Sequence, residues 1–448
     1  MAENTVNLID DRQITAWLIA RGLDWRVRSV EAITVDSATS CSRRRSLQAT
    51  PLRTVLADVP GLQLDADTSH AFIALNVATV PRGPLVDFDI EGPLGDAWLL
   101  PRQEIAARQA LFLTSMASSF HPSPSSDLVT LLTAILGFTG EFFSSREAVA
   151  LEDYLSVGIG QAPSATFLEH CRSVANDCRH VLRPHLDRFH GYSAPENPTL
   201  ALPELVANGL IAMEAQATTV LEEYRGLILA ADSAATPEAE VFLEALADYG
   251  NYYDLIAAMR IPLDEPFMVK YSERRDLKLS WPRREGRQEL VIADAQSNHA
   301  TFKVTDPNVR ISVFQAVQMT SDEFAVGAFQ SRKDQQSRAI YAHDPDRDFR
   351  IRFRFQLGLL RRLQTIPYVA TALLVLLSLA LLHEKPEQLR DLALIVGPAA
   401  LAASVLLVRE PSTLGSRLRL TSSLLLAIAL GVLVLVATFL YVRGLLCA

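Results

Sequence analysis

"DPDRDFRIRFRFQLGLLRRLQTIPYVATALLVLLSLALL", Asp344–Leu382, changes periodicity within a few residues. In an extended chain Phe349, Ile351, Phe353 and Phe355 face one way and Arg350, Arg352 and Arg354 the other. The Phe side predicts the core face of a sheet. From Ile366 the pattern becomes an uninterrupted apolar run without charge. The Arg side is a solvated face or, so near to that apolar run, a contact for anionic headgroups. A strand that hands the chain so directly to an apolar helix predicts a water-soluble region held at a membrane.

Two further apolar runs support that reading. Residues 366–382, 392–408 and 424–442 are free of charge and long enough, at the lower limit, to span a hydrocarbon layer of roughly 30 Å. Basic residues set the orientation. Arg350, Arg352, Arg354, Arg361 and Arg362 precede the first run, and Arg409, Arg417 and Arg419 fall between the second and third. Lys385 and Arg390 lie in the first joint and Arg443 in the tail. The positive-inside tendency then predicts a multi-pass protein of the cell inner membrane, with the bulk of the chain and its N-terminus cytoplasmic and its C-terminus outside. Arg361, Arg362, Arg409, Arg417 and Arg419 are the residues expected at the membrane surface. The start, "MAENTVNLIDDRQITAWLIARG", has no apolar core of signal-peptide length. Small residues spaced by four, Ala399/Ala403, Ala400/Ser404 and Ala427/Gly431, suit close helix packing within one subunit, or self-association through the same face.

Ahead of the apolar runs, residues 1–362 carry 36 Lys plus Arg against 47 Asp plus Glu. That acidic balance lacks the footprint of a nucleic-acid binder. Only 5 of the 42 basic residues are Lys, which suits a GC-rich bacterial coding sequence. Cys41, Cys171, Cys178 and Cys447 are too dispersed for a disulfide scaffold and predict free thiols in a reducing compartment.

The fold class expected is α+β and multidomain, with two sandwich- or barrel-like β-rich units flanking a helical region and followed by three transmembrane helices. Residues 1–100 form the first unit, built on runs such as "DWRVRSVEAITVD" and "HAFIALNVATV". In it Arg43, Arg44 and Arg45 are expected at an exposed edge or turn. Residues 101–260 have helical spacing, with Thr236, Pro237 and Glu238 as one clear helix start. Residues 261–357 contain seven or eight short strand patterns, ending on "FRIRFRFQL". Residues 358–448 are the membrane region.

Candidate chemistry is sparse. "EHCRSVANDCRHVLRPHLDRFH" holds His170, Cys171, Cys178, His180, His185 and His190, types that ligate zinc. On one helix, however, Cys171, Cys178 and His185 recur every two turns, about 10 Å apart, too far to share an ion. Buried cysteines with exposed histidines are the expectation. Asp344, Asp346 and Asp348 open like an oxygen-ligand calcium loop, but Phe349 stands where the turn needs Gly and Phe355 where it needs Glu. Asp87 and Asp89 share a strand face and, with Glu91, suit a two-carboxylate hydrolytic pair or, more simply, the wet side of a half-buried strand. Phosphate-loop, dinucleotide, zinc-protease and nucleophile-elbow motifs are all missing from the sequence. No cofactor or metal is expected and no catalytic residue is assigned. The reading is a membrane-anchored cytoplasmic recognition or scaffolding protein. Its partners are proteins on the cytoplasmic side, membrane lipids and further copies of itself, without nucleic acid. A pore-forming or channel-regulating protein is the alternative, and a membrane-tethered enzyme a further one.

Overall fold

Strands such as Ser40–Ala49 and Ser297–Val304 follow period-two burial, helices bury one stripe, and long-range pairing decides how they assemble. The computed structural model describes residues 5–7, 12–81, 86–137, 164–187, 214–277, 279–280, 285–290, 295–318, 328–332, 334–343, 351–384, 396–403 and 414–447. The chain begins with β1 (Thr5–Asn7), α1 (Arg12–Ala20), α2 (Gly22–Trp25), β2 (Arg26–Val35), β3 (Ser40–Ala49), α3 (Arg53–Ala57), β4 (His70–Pro81), β5 (Val86–Gly92) and β6 (Gly95–Leu99). Five helices follow: α4 (Arg102–Ala117), α5 (Ser126–Gly137), α6 (Ala165–Asp187), α7 (Glu214–Ala234) and α8 (Pro237–Asn251). Then come β7 (Tyr252–Pro262), β8 (Phe267–Asp276), β9 (Leu279–Ser280), β10 (Glu285–Leu290), β11 (Ser297–Val304), β12 (Val309–Gln318), β13 (Ala328–Arg332), β14 (Ser337–His343) and β15 (Ile351–Leu359). The described helices that end the chain are α9 (Arg361–Glu384), the turns at 396–403, α10 (Leu414–Leu418) and α11 (Leu420–Cys447).

The class is α+β, but the strands do not form two flanking units. Eleven of them make one curled sheet in the order β1-β4-β7-β6-β5-β8-β3-β2-β11-β14-β13. Strands from both sides of the helical region alternate in it. β8 pairs antiparallel with β3 and β5, and β11 runs parallel to β2 from Ser297↔Arg28 to Val304↔Val35. A four-stranded sheet, β12-β15-β10-β9, packs beside it.

The helical stretch expected to reach residue 260 stops at Asn251, where Tyr252 begins β7. Leu255, Ile256, Ala257, Ala258 and Met259 are all at most 1% exposed. With both faces of β7 covered, the sequence shows a continuous apolar run rather than an alternating one, and such a run also fits a buried helix. Thr236 does cap α8, its hydroxyl accepting from the Ala239 N–H. One apolar core fills the helical stack. In it Cys171 and Cys178 are buried as expected, on one stripe of α6 with Val174 and Leu182, whereas of the histidines expected to be exposed His180 is exposed and His170 and His185 are half-buried. A second core lies between one face of the large sheet and α1–α3. A third joins the β2/β11/β14 end of that sheet to β12, β15 and α10. Phe355 is fully buried there, 4.5 Å ring to ring from Phe302, beside Leu357 and Leu359.

Among the described residues two helical segments are long and apolar enough to cross a membrane, Thr365–His383 and Ser422–Arg443. The expected middle span, 392–408, is described only over 396–403, which is helical. The two segments share a narrow core through Leu374, Leu381, Leu426 and Leu433 and turn most of their apolar surface outward. Leu376 is 61% exposed and Leu435 70%.

Candidate functional site

The turn between β11 and β12 meets both apolar helices where they begin. Asp306 closes the turn on itself, with Oδ1 accepting the Asn308 N–H at 2.9 Å. Its Oδ2 accepts the Gly415 N–H at 2.7 Å, at the start of α10. Two residues on, the Asn308 carbonyl accepts the Leu360 N–H at 3.0 Å, between the end of β15 and the first residue of α9. A carboxylate at the first turn of a helix satisfies an amide the helix cannot and complements its positive end. That helix is long. The Arg419 N–H bonds the Gly415 carbonyl at 3.1 Å and the Ser423 N–H the Arg419 carbonyl at 2.9 Å, so α10 runs on into α11. Position 415 suits Gly, since an added Cβ there would lie 3.0 Å from Asp306 Oδ2.

The turn is fastened to the sheets from behind. Gln336 Nε2 donates to the carbonyls of Asp306 at 3.1 Å and Val309 at 3.3 Å, while the Val304 N–H bonds back to the Gln336 carbonyl. Thr305 Oγ1 donates to the Val35 carbonyl at 2.9 Å. Asp334 accepts the Gln336 and Ser337 N–H groups, and these bonds hold its carboxyl below the ordinary range. Beneath the polar contacts Leu414 and Leu418 are 2% exposed and share a core with Val309, Ile311, Leu357 and Leu359.

This junction gathers some of the residues expected at a membrane surface. Arg361 and Arg362 open α9, Arg417 lies in α10, and Arg419 stands where α10 meets α11. Arg409 and Ser404 lie outside the described residues, as do the side chains of Arg361, Arg362 and Arg417. Of the small residues, Ala399 and Ala403 enter the core shared by the apolar helices. Ala400 is half-buried. Ala427 and Gly431 face outward, and nothing lies within 4 Å of a Cβ added at Gly431. Asp87 adopts a positive φ of 49° at a bulge in β5 and pairs with Arg274 at 2.9 Å, so strand alternation does not carry it to Asp89. Among the described residues no cluster of His, Cys, Asp and Glu is arranged to hold a metal ion. Asp344, Asp346 and Asp348 lie outside the described residues.

A second assembly was not anticipated. The "RRR" stretch is not an exposed edge, because β3 is central and Arg43 and Arg45 point inward while Arg44 points out. Arg43 donates to both oxygens of Glu31, at 2.7 and 3.0 Å, and its other Nη lies 3.4 Å from Glu273. Arg45 Nη1 is 3.5 Å from Glu31, and Arg275 is 2.8 Å from Glu273. The side chains of Glu31, Arg43, Arg45 and Glu273 are at most 3% exposed. Burial opposes the charge on Arg43, but Glu31, Tyr271 and Glu273 outweigh it and hold the guanidinium above its ordinary value. Burial pushes the neighbouring Cys41 thiol up to about 12, leaving it unreactive. The network joins β2, β3 and β8 electrostatically between two apolar cores, and its geometry offers no reacting centre. The signal in the sequence was parity. Cys41, Arg43, Arg45, Leu47 and Ala49 alternate, which puts the two arginines on the apolar face.

Comparison of the chain with protein-family models, with curated proteins and with solved structures finds no match.

Proposed function

We propose that the chain is a membrane-anchored recognition or scaffolding protein, whose sheets and helical stack stand on the cytoplasmic face of an inner membrane and bind protein partners there. The observation that carries the reading is the junction, where a single turn, Asp306–Asn308, bonds the start of α9 and the start of α10 at once. The apolar surface supports it. Helices that belonged to the core of a soluble fold would hide side chains such as Leu373, Leu376, Leu424 and Phe439, each more than half exposed. In this reading 392–408 supplies a third crossing and the C-terminus lies outside. Arg361, Arg362, Arg409, Arg417 and Arg419 meet anionic headgroups, each nearby charge adding on the order of 1 kcal/mol.

The test is membrane topology followed by contact mapping. With an N-terminal tag in bacterial cells, the full chain should resist alkaline carbonate extraction. In inverted inner-membrane vesicles added protease should remove the tag. Photo-crosslinking groups on the sheet of the full chain should then give discrete protein adducts in native membranes. Carbonate release, or a protected tag, overturns the anchoring and orientation; a sheet that crosslinks to no protein overturns the scaffolding role.

A further inference from the structure

The end of the large sheet remote from the Asp306 turn carries a cleft of about 350 Å³ between a hairpin turn and a connection that crosses from one strand to a non-adjacent one. One wall is the β5–β6 turn, Gly92 to Gly95, and the other is the β7–β8 turn, Pro262 to Phe267. Pairing fixes its distance from the junction. Phe267 lies opposite Ala49, which lies opposite Arg26. The Asp306 turn follows Val304, paired with Val35 at the other end of β2. At roughly 3.3 Å per residue the two ends are about 30 Å apart, so in the membrane-anchored reading the cleft is the part facing away from the bilayer.

The walls are fixed in advance. Arg53 grips Asp264 with two nitrogens, its backbone N–H bonds the Leu263 carbonyl at 3.1 Å, and its other contacts are the carbonyls of Asp65 and Thr68. Chemically the described lining of the cleft carries one more carboxylate than cation. Pro93, Pro262 and Pro266 bring no N–H. Glu91 and Glu265 bring carboxylates, and the one cation among the described lining residues, Lys270, already sits 3.4 Å from Glu91. Between these acids lie Leu94, 48% exposed, and Met268, 45% exposed, over a floor that includes Phe267.

We infer that this cleft docks a segment of a partner protein that presents an arginine or lysine beside an apolar side chain. The cation answers the surplus negative charge and donates to the carboxylates of Glu91 and Glu265, while the apolar neighbour covers Leu94 and Met268. The inference rests on the recognition role proposed above and gives that role a location and a ligand chemistry.

The test uses the full chain in neutral-lipid nanodiscs and three fluorescent decapeptides, alternating Arg with Leu, Arg with Ser, or Glu with Leu. The Arg–Leu probe should bind, the Arg–Ser probe more weakly and the Glu–Leu probe not at all. Glu91→Gln with Glu265→Gln, or Leu94→Ser alone, should weaken the Arg–Leu probe about tenfold without moving the melting temperature, because all three side chains are exposed. Glu265→Lys should gain binding of the Glu–Leu probe, an outcome a misfolded variant cannot produce. Equal binding of acidic and basic probes, insensitivity to these substitutions, or no binding at all overturns the inference. Carbonate extraction of the same variants keeps this result separate from the anchoring itself, which these residues should leave untouched.

Discussion

Glu31, Arg43 and Glu273 meet inside the sheet although Glu273 is 230 residues from Arg43 in sequence. Breaking a buried ion pair strands a charge. Arg43→Met should therefore cost about 3–5 kcal/mol, read as a fall in the melting temperature of the full chain, and pairing it with Glu31→Leu should recover part of the loss. An Arg43→Met chain that melts at the native temperature would remove the network from the fold's supports. Asp254 behaves differently. It is buried where β7 meets α4, and burial raises its carboxyl above 3.8 even though Gln109 and Thr79 donate to it. A raised folded value means that the folded state holds the proton more tightly than the unfolded one. Its contribution is therefore lost as pH rises from about the ordinary carboxylate value through the folded one. Asp254→Asn should raise the melting temperature at pH 7 and flatten its decline between acidic and neutral pH, and an unchanged pH profile would contradict this. Parity with Leu47 and Ala49 marked the face of Arg43 and Arg45, but the partners that allow their burial were illegible in sequence for a physical reason. The arginines looked solvent-exposed because the acids that neutralise them come from β2 and β8, and no local pattern names those neighbours.

Elements were legible where one face is buried and the other is not. The alternation before the first apolar helix predicted a strand with Phe355 inward, and Phe355, Leu357 and Leu359 are buried in β15. The seven-residue spacing of Cys171 and Cys178 likewise predicted one buried stripe on α6, and both cysteines lie in the helical core. β7 was missed because helices cover one of its faces and α1–α3 lie over the other, which removes the alternation that identifies a strand. The junction was half legible. The short step from β15 to α9 is visible in the sequence, but Asp306 reaches Gly415 across 109 residues, and neither residue type announces the other. The cleft was not legible at all, since its walls come from turns more than 160 residues apart.

At the scale of the molecule, the sheet joins strands from both sides of the helical stack, so a load at one end has a continuous hydrogen-bonded path to the other. β8 runs from the cleft, β3 and β2 stand beside it, and β11 pairs with β2 and leads into the Asp306 turn. The two helix starts hang on that turn by separate bonds, Leu360 through the Asn308 carbonyl and Gly415 through the Asp306 carboxylate. Separate bonds predict separable failures. A ten-residue Gly/Ser insertion between Leu360 and Arg361 should free the start of α9 while amide exchange at 414–418 stays slow, because Leu414 and Leu418 remain in the sheet's core. Asp306→Ala alone should speed exchange at Gly415 and Asn308, with a loss of about 0.5–2 kcal/mol, as for a helix cap. The combined variant should show both effects at once, a freed start of α9 and faster exchange at Gly415 and Asn308. If the insertion alone deprotects 414–418, the second helix is held through the first, and the turn is not an independent support for each helix start.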